Sequence, residues 1–457
     1  MTPRPDRLLY RNGLALACSA GLSALLGAGY WALAARTTNQ SSVGAATALV
    51  SAMMALSLIG QLNLGNALTS FLPRAGYYRF KIVLRSYAGS ALLSILLGAG
   101  FALVAPRISS AFEMLTSTGM VVLFALSVGI WTLFIMQDAV LAALRRAPWV
   151  PVENVFFNIT KFLLLLTFGG GSVAVLYGSW IVPAGIAVVT VSWLLFRKLL
   201  PTRATPAPDS GMRNFGRFLA GESITMLFER VGVTLVPLLV VVMVGPAAGA
   251  PFALSWMIMQ ALEALIFGFG LSLIVEGAQA GADVVLMHRE LRRLALLGVG
   301  AIVLVAEIGA PLLLRIFGAG YENAATVFRL LLLGPLPATV VILGVSTARA
   351  QRRMRRIVGV HMSIAVLVPV SAVLLGHLYG VVGVGAAWLA VQMVVATGML
   401  LTESRGQRAV RARPPRPGDS AGHRGFTIFR VVPRAPLVAH AQLDNEVPNS
   451  AAGRNAD

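Results

Sequence analysis

VGAATALVSAMMALSLIGQLNLGNALTSFLPRAGYYRFKIVLR, residues 43–85, decides the class of fold. From Val43 to Pro73 no side chain is charged; Arg74, Arg79, Lys81 and Arg85 then follow in quick succession. An apolar run of about 20 residues is long enough to cross a bilayer as a helix. A burst of Arg and Lys after it marks a short cytoplasmic loop. Outward from this stretch the alternation repeats in both directions. It predicts twelve spans, at about 11–33, 44–68, 83–105, 119–142, 152–169, 175–196, 215–243, 252–275, 294–314, 327–348, 357–376 and 381–402. Links on one side are short, such as 169–172 and 245–251; those on the other are basic, such as 74–85, 197–217, 289–293 and 349–356. The expectation is an all-α, polytopic protein of the cell (cytoplasmic) membrane with both termini cytoplasmic.

Composition agrees. The 457 residues are 57% hydrophobic and 12% charged, about half the charged share of a soluble globular chain. A net charge of +19 would point to nucleic acid in a soluble protein; here topology accounts for it, and no nucleic-acid partner is expected. Of 37 Lys and Arg, 31 lie in predicted cytoplasmic segments, where they also face anionic headgroups of the membrane lipids. Four (Arg36, Arg107, Arg315 and Arg329) lie in or beside outer links, and two, Lys161 and Arg230, lie inside spans. The single cysteine, Cys18, excludes an intramolecular disulfide. The apolar run around it continues to Leu33, so it reads as an uncleaved first span rather than a lipoprotein signal. His361 and His377 stand alone near span ends, as interfacial residues rather than ligands. No metal or cofactor is expected.

The longest inner link, 199–213, holds Pro201, Pro206, Pro208 and Gly211 and divides the spans six and six. Sliding the chain by 205 residues lays Gly44 on Gly249, Gly65 on Gly270, Leu68 on Leu273 and Ala105-Pro106 on Ala310-Pro311. Two residues more bring Arg145-Arg146 onto Arg352-Arg353. Six spans is an even number, so both halves enter from one side, as parallel repeats about an axis along the membrane normal. The expected organisation is an N-terminal six-helix lobe over 1–200, a cytoplasmic linker over 201–213, a C-terminal six-helix lobe over 214–402 and a basic tail over 403–457. The tail contains Arg413-Pro414-Pro415-Arg416-Pro417-Gly418, a disordered composition.

Charges inside a span cost about 2.5–3.5 kcal/mol on insertion scales and persist where they face a cavity or a partner. Asn154, Asn158 and Lys161 fall at i, i+4 and i+7, on one helical face. Glu222, Glu229 and Arg230 share one side of the seventh span; Glu263 lies mid-span in the eighth with Gln260 close by; Glu307 lies in the ninth. In the second, Gln61, Asn63 and Asn66 stand among Gly60 and Gly65, which allow a close approach or a bend. Gln137-Asp138 and Glu222 lie nearer the cytoplasmic face, where snorkelling explains them. Two readings compete. Lys161 or Arg230 pairs with Glu229 or Glu263 and pins helices together, at about 0.6 kcal/mol for such a polar contact. Alternatively the polar faces of spans two, five, seven and eight line a wet central cavity. The cavity candidates for substrate are then Lys161, Arg230, Asn154, Asn158, Gln61 and Asn66, and those for ion coupling are Glu229 and Glu263. Two mid-span cations suit an anionic group such as phosphate or pyrophosphate.

No catalytic set is present: there is no Walker motif, no His/Ser/Asp group at one depth and no outer link long enough for a catalytic domain. The chain is not expected to be an enzyme.

Several motifs resemble a known family. The opening runs Arg11-Asn12-Gly13, Ala35-Arg36, Val43-Gly44, Leu64-Gly65-Asn66-Ala67-Leu68 and Phe71-Leu72-Pro73-Arg74. Later come Phe317-Gly318-Ala319-Gly320-Tyr321-Glu322-Asn323-Ala324 and Gly380-Val381-Val382-Gly383-Val384-Gly385-Ala386-Ala387. Over about residues 10–400 this resembles the polysaccharide-export proteins of the multidrug/oligosaccharidyl-lipid/polysaccharide (MOP) flippase superfamily. Departures are Thr37-Thr38-Asn39 for the usual Leu-Gly, Val43 for the usual aromatic, and twelve spans where many members have fourteen.

The resemblance implies a MATE-like bundle of two pseudo-symmetric lobes around a central cavity. It also implies a lipid-linked oligosaccharide substrate on a polyprenyl-(pyro)phosphate carrier, moved to the outer leaflet by alternating access. Pathway glycosyltransferases or a polymerase would be partners, and by position Lys161 and Arg230 would hold the pyrophosphate. The rival expectations are a multidrug or cation exporter of the same superfamily, using the carboxylates, and a non-transporting membrane component of a glycan assembly complex. A membrane-embedded glycosyltransferase would need the large outer loop that is missing.

Overall fold

Ser86, Ser90, Ser94, Gly98 and Ala102 recur every fourth residue, and all are buried in the computed structural model of the chain. On the other side of the same helix Leu92, Leu96 and Leu103 are 60%, 61% and 62% exposed. A helix that turns small residues inward and leucines outward is built for lipid, where close van der Waals packing replaces the hydrophobic drive. The pattern recurs across the molecule, with Leu297, Leu304, Val305, Ile308 and Leu374 among the outward apolar side chains. A soluble monomer rarely shows so continuous an apolar belt.

The structure describes residues 26–146, 148–169, 171–200, 234–277, 284–318, 320–351 and 353–411. Helix α1 covers 26–37, α2 Gln40–Gly60, α3 Leu64–Phe71, α4 Arg79–Val104, α5 Thr118–Ala143, α6 Trp149–Phe168 and α7 Val173–Leu194. Helix α8 covers Thr234–Val244, α9 Pro246–Gly277, α10 Val284–Ile308, α11 Ala310–Arg315, α12 Ala325–Leu333, α13 Pro335–Ala350 and α14 Met354–Arg411. No strand occurs among the described residues. Eight helical segments among them are long and apolar enough to cross a membrane. One of these holds two predicted spans: at Gly380 (φ 58°, ψ −141°) α14 reverses, and Gly383 comes against the backbone of Leu375 and Gly376. The residues up to Ser404 form one compact unit; of the second, Arg405–Asp457, the structure describes the end of α14. The linker 201–213 and residues beyond 411 lie outside the described residues.

Three expectations are refined. The second span breaks after Gly60: Leu62 and Asn63 take φ of 47° and 57°, and helix resumes at Leu64. The ninth is α10 followed by the short α11 after a turn at Gly309, and the tenth is α12 and α13 joined at Gly334-Pro335. Helix α14 runs on to Arg411, short of Pro414, the first proline able to stop it.

The internal repeat is visible in the packing. Gly65 faces Ala139, and Gly270 faces Ser346, where a Cβ would collide with the hydroxyl. The two glycines stand 205 residues apart and their two partners 207 apart, the offsets read from the sequence. Helix α2 packs on α4 and α5, as its equivalent α9 packs on α10 and α13. The equivalent helices α2 and α9 also pack extensively on each other, as a pseudo-twofold along the membrane normal requires. The chain is thus an all-α polytopic membrane protein of two pseudo-symmetric lobes.

The lobes are joined at the end carrying the short links. Gly44 of α2 lies so close to the Pro246 carbonyl at the start of α9 that no side chain fits. Arg36 donates from Nε to the Ile316 carbonyl at 2.8 Å, satisfying a group just past the C-terminus of α11. Gly318 (φ 116°) backs onto Ala35 and Arg36, and Gly320 (φ 90°) onto Gln40. These left-handed glycines let the Phe317–Ala324 turn lie flat against the first lobe.

Candidate functional site

Buried polar side chains gather at four places, and only some coincide with the expected cavity residues. On α6 the buried stripe is Glu153, Phe157, Asn158, Lys161 and Leu165. Asn154 is half-buried and donates to Val150 O (3.1 Å), and Asn158 donates to Asn154 O (2.8 Å). Lys161, 2% exposed, donates to Asn158 Oδ1 at 3.2 Å. Its ammonium also lies 4.2 Å from the Trp180 ring centroid, 4.9 Å from Tyr30 and 5.0 Å from Phe157. Ring faces attract a cation, the more so when water is excluded. Lys161 forms no ion pair among the described residues. It therefore sits inside the wall built by α1, α6 and α7 rather than against lipid. Tyr30, Phe162 and Leu165 belong to the same packed cluster as Leu254, Ile266 and Phe328, so the box adjoins the seam between the lobes.

Nearer the basic end, Gln137 of α5 donates to Glu153 Oε1. Gln137 is fully buried and Glu153 6% exposed. Glu153 Oε2, Asp138 Oδ1 and the Tyr87 hydroxyl are buried without a hydrogen-bond partner among the described residues. The expectation that Gln137 and Asp138 snorkel is corrected: α4 and α6 cover them, and the amide reaches Glu153 instead of water. Glu153 escaped the sequence reading because it falls at a predicted span edge. The available signal was an acid beside an amide, Gln137-Asp138 and Glu153-Asn154, on two consecutive antiparallel spans.

In the second lobe a cavity of about 460 Å³ is lined by residues from α8, α9, α13 and α14, among them Gln260, Glu263, Arg349, His361 and Gln392. Glu263 Oε1 and Gln392 Oε1 are buried without a hydrogen-bond partner among the described residues. His361, expected at the interface, is one of its wall residues. Gln61 caps the end of α2, and Asn66 lies half-buried on α3; neither joins Lys161 or Glu263. Glu307 pairs with Arg329 at 3.7 Å. Glu222, Glu229 and Arg230 lie outside the described residues.

At the basic end of the second lobe two guanidinium groups and an imidazole meet one carboxylate. Glu403 lies 3.0 Å from Arg292, 3.7 Å from His288 and 3.8 Å from Arg356. His288 Nδ1 shares a hydrogen bond of 2.8 Å with the Thr347 hydroxyl.

No protein-family model matches the sequence, and no curated protein matches it significantly. Solved structures match the fold. An inward-facing multidrug resistance MATE family transporter of the MOP superfamily superposes with a TM-score of 0.66 at 16% identity, covering 86% of this chain and 96% of that one. The lipid II flippase MurJ in an inward closed conformation gives 0.70 at 12% identity, over 85% and 87%. An outward-facing conformation of a multidrug resistance MATE family transporter gives 0.54 at 16% identity, over 88% and 96%. The chain therefore shares the MATE-like fold of these structures.

Proposed function

We propose that the chain is a flippase. It moves a polyprenyl-(pyro)phosphate-linked oligosaccharide from the inner to the outer leaflet of the cell membrane, with both termini cytoplasmic, by alternating access of its two lobes. A sugar-phosphate headgroup cannot cross hydrocarbon unaided, since its polar groups would lose water without replacement. A polar passage between lobes supplies replacements while the lipid tail stays in the bilayer. The fold is shared with a lipid II flippase, which supports the class of cargo.

The observation that carries the reading is Lys161. A desolvated cation beside the seam, balanced by an amide and three rings and paired with no carboxylate among the described residues, favours an anion at that point of the first lobe. In this conformation the box is shut. Tyr30 belongs to the same lobe and is held to α7 by hydrogen bonds with Leu176 O and Ser179, so presenting the ammonium to the headgroup requires α1 to shift away from α7 as the lobes part.

The test is flipping of a fluorescent lipid-linked oligosaccharide in proteoliposomes. Lys161→Gln is expected to lower the rate at least about tenfold, the loss of one charge-assisted contact, while Lys161→Arg retains part of it. Full activity of Lys161→Gln overturns the reading. The second reading, a cation exporter, is favoured by the buried carboxylates Glu153, Asp138 and Glu263; it predicts cation efflux that Lys161→Gln leaves intact and Glu263→Gln abolishes.

A further inference from the structure

Among the described residues the cluster around Glu403 sets two guanidinium groups against one carboxylate. Arg292 and His288 reach it from α10, Arg356 from the start of the first span of α14, and Glu403 itself from the end of the second. Arg356 also donates to the Thr402 hydroxyl at 3.2 Å. Among the described residues Glu403 is the one carboxylate these groups share, and it is only 20% exposed. The flanking segments 284–293 and 349–356 hold eight arginines against Glu290 alone. Topology explains basic loops, but not three basic side chains converging on one carboxylate beneath the surface. On α13, Thr347 contacts His288, and Arg349, two residues on, lines the 460 Å³ cavity. The cluster thus stands beside that cavity at the basic end.

We propose that this cluster is a phosphate site in which Glu403 occupies the place of the ligand: the phosphate or diphosphate of a lipid arriving from the inner leaflet displaces the Glu403 carboxylate from Arg292 and Arg356. The inference rests on the flippase reading for the identity of the lipid. Two guanidinium groups offer paired donors that fit phosphoryl oxygens, and a diphosphate carries more charge than the carboxylate it replaces. Displacement also unties α10 from both spans of α14. Headgroup arrival is thereby converted into freedom for the second lobe to rearrange, because a ligand shifts a conformational equilibrium only through contacts that differ between the states.

The test is binding to the purified full-length protein in nanodiscs, with inorganic pyrophosphate as the soluble probe, followed by competition from discs containing polyprenyl diphosphate. Glu403→Gln removes the internal competitor and is expected to tighten pyrophosphate binding about tenfold, while Arg292→Gln and Arg356→Gln each weaken it about tenfold or more. A purely structural ion cluster predicts the opposite for Glu403→Gln, a loss of melting temperature with no gain in binding, and that result overturns the proposal. Should Glu403→Gln not fold, Glu403→Asp, which shortens the carboxylate's reach, must still tighten binding. Pyrophosphate binding that polyprenyl diphosphate fails to compete overturns the lipid as ligand. Competition that succeeds in a protein unable to flip the lipid leaves the site standing and removes the flippase reading instead.

Discussion

Gly44→Ala adds one methyl group at the place where the lobes meet. An ideal Cβ there would stand 2.5 Å from the Pro246 carbonyl carbon and 3.0 Å from its Cα. Ordinary carbon contacts are about 3.5–4.0 Å, so α2 and the start of α9 must part by about 1 Å. Both neighbours are backbone, and neither can rotate out of the way. Overpacking of this kind costs about 1–3 kcal/mol, and here the cost falls only on the state whose lobes touch at the short-link end. At 1.4 kcal/mol per factor of ten, the ratio of open to closed seams should rise by roughly five- to 150-fold. The assay is accessibility of Ala35→Cys to a membrane-impermeant thiol reagent, in a background where Cys18, the one native cysteine, is serine. Ala35 is 7% exposed beside the seam, so its labelling should be slow in the parent and faster with Gly44→Ala. Unchanged labelling in a protein that melts normally would refute the claim that this contact closes the seam.

Three further outcomes follow from the packing. Gln137→Leu strands the Glu153 carboxylate and should lower stability by about 1–3 kcal/mol; adding Glu153→Leu should restore most of it, because an apolar pair can replace a buried polar one, and melting in detergent measures both. Gly98→Leu forces a side chain into Val128 and the Ala125 backbone across the α4–α5 contact, which should cost about 1–3 kcal/mol and reduce folded yield by size-exclusion. Arg329→Ala removes a half-exposed partner of Glu307 and should change stability by less than about 1 kcal/mol, read from the same melts.

The spans were legible because lipid enforces a simple rule: each crossing helix satisfies its own backbone and shows apolar side chains outward. The basic links and the 205-residue repeat were legible for the same reason, being properties of single segments. What escaped was interior to the bundle. Gln137 looked like a snorkelling residue because its neighbour α6, carrying Glu153, could not be placed against it from sequence. His361 looked interfacial, yet the approach of α9, α13 and α14 makes it a cavity wall. The Lys161 box needed Tyr30 and Trp180, 131 and 19 residues away along the chain, and no local pattern announces that convergence.

The repeat itself separates scaffold from function. Gly44 and Gly249, and Gly65 and Gly270, persist in both halves because helix packing demands small residues at those points whichever lobe is considered. The ionisable groups inside the spans do not persist. Shifting Lys161 by the same 205 to 207 residues lands on Val366, Leu367 and Val368, and shifting Glu263 back by 205 lands on Leu58. An ion pair serving only to pin helices would be as useful in one lobe as in the other. A cation kept in the first lobe and a carboxylate kept in the second instead divide the labour of a symmetric frame. On the proposed reading an anionic headgroup would meet Lys161 in the first lobe, while Glu263 faces its own cavity in the second. That asymmetry within a symmetric scaffold favours an anionic cargo over an ornamental pair of buried charges.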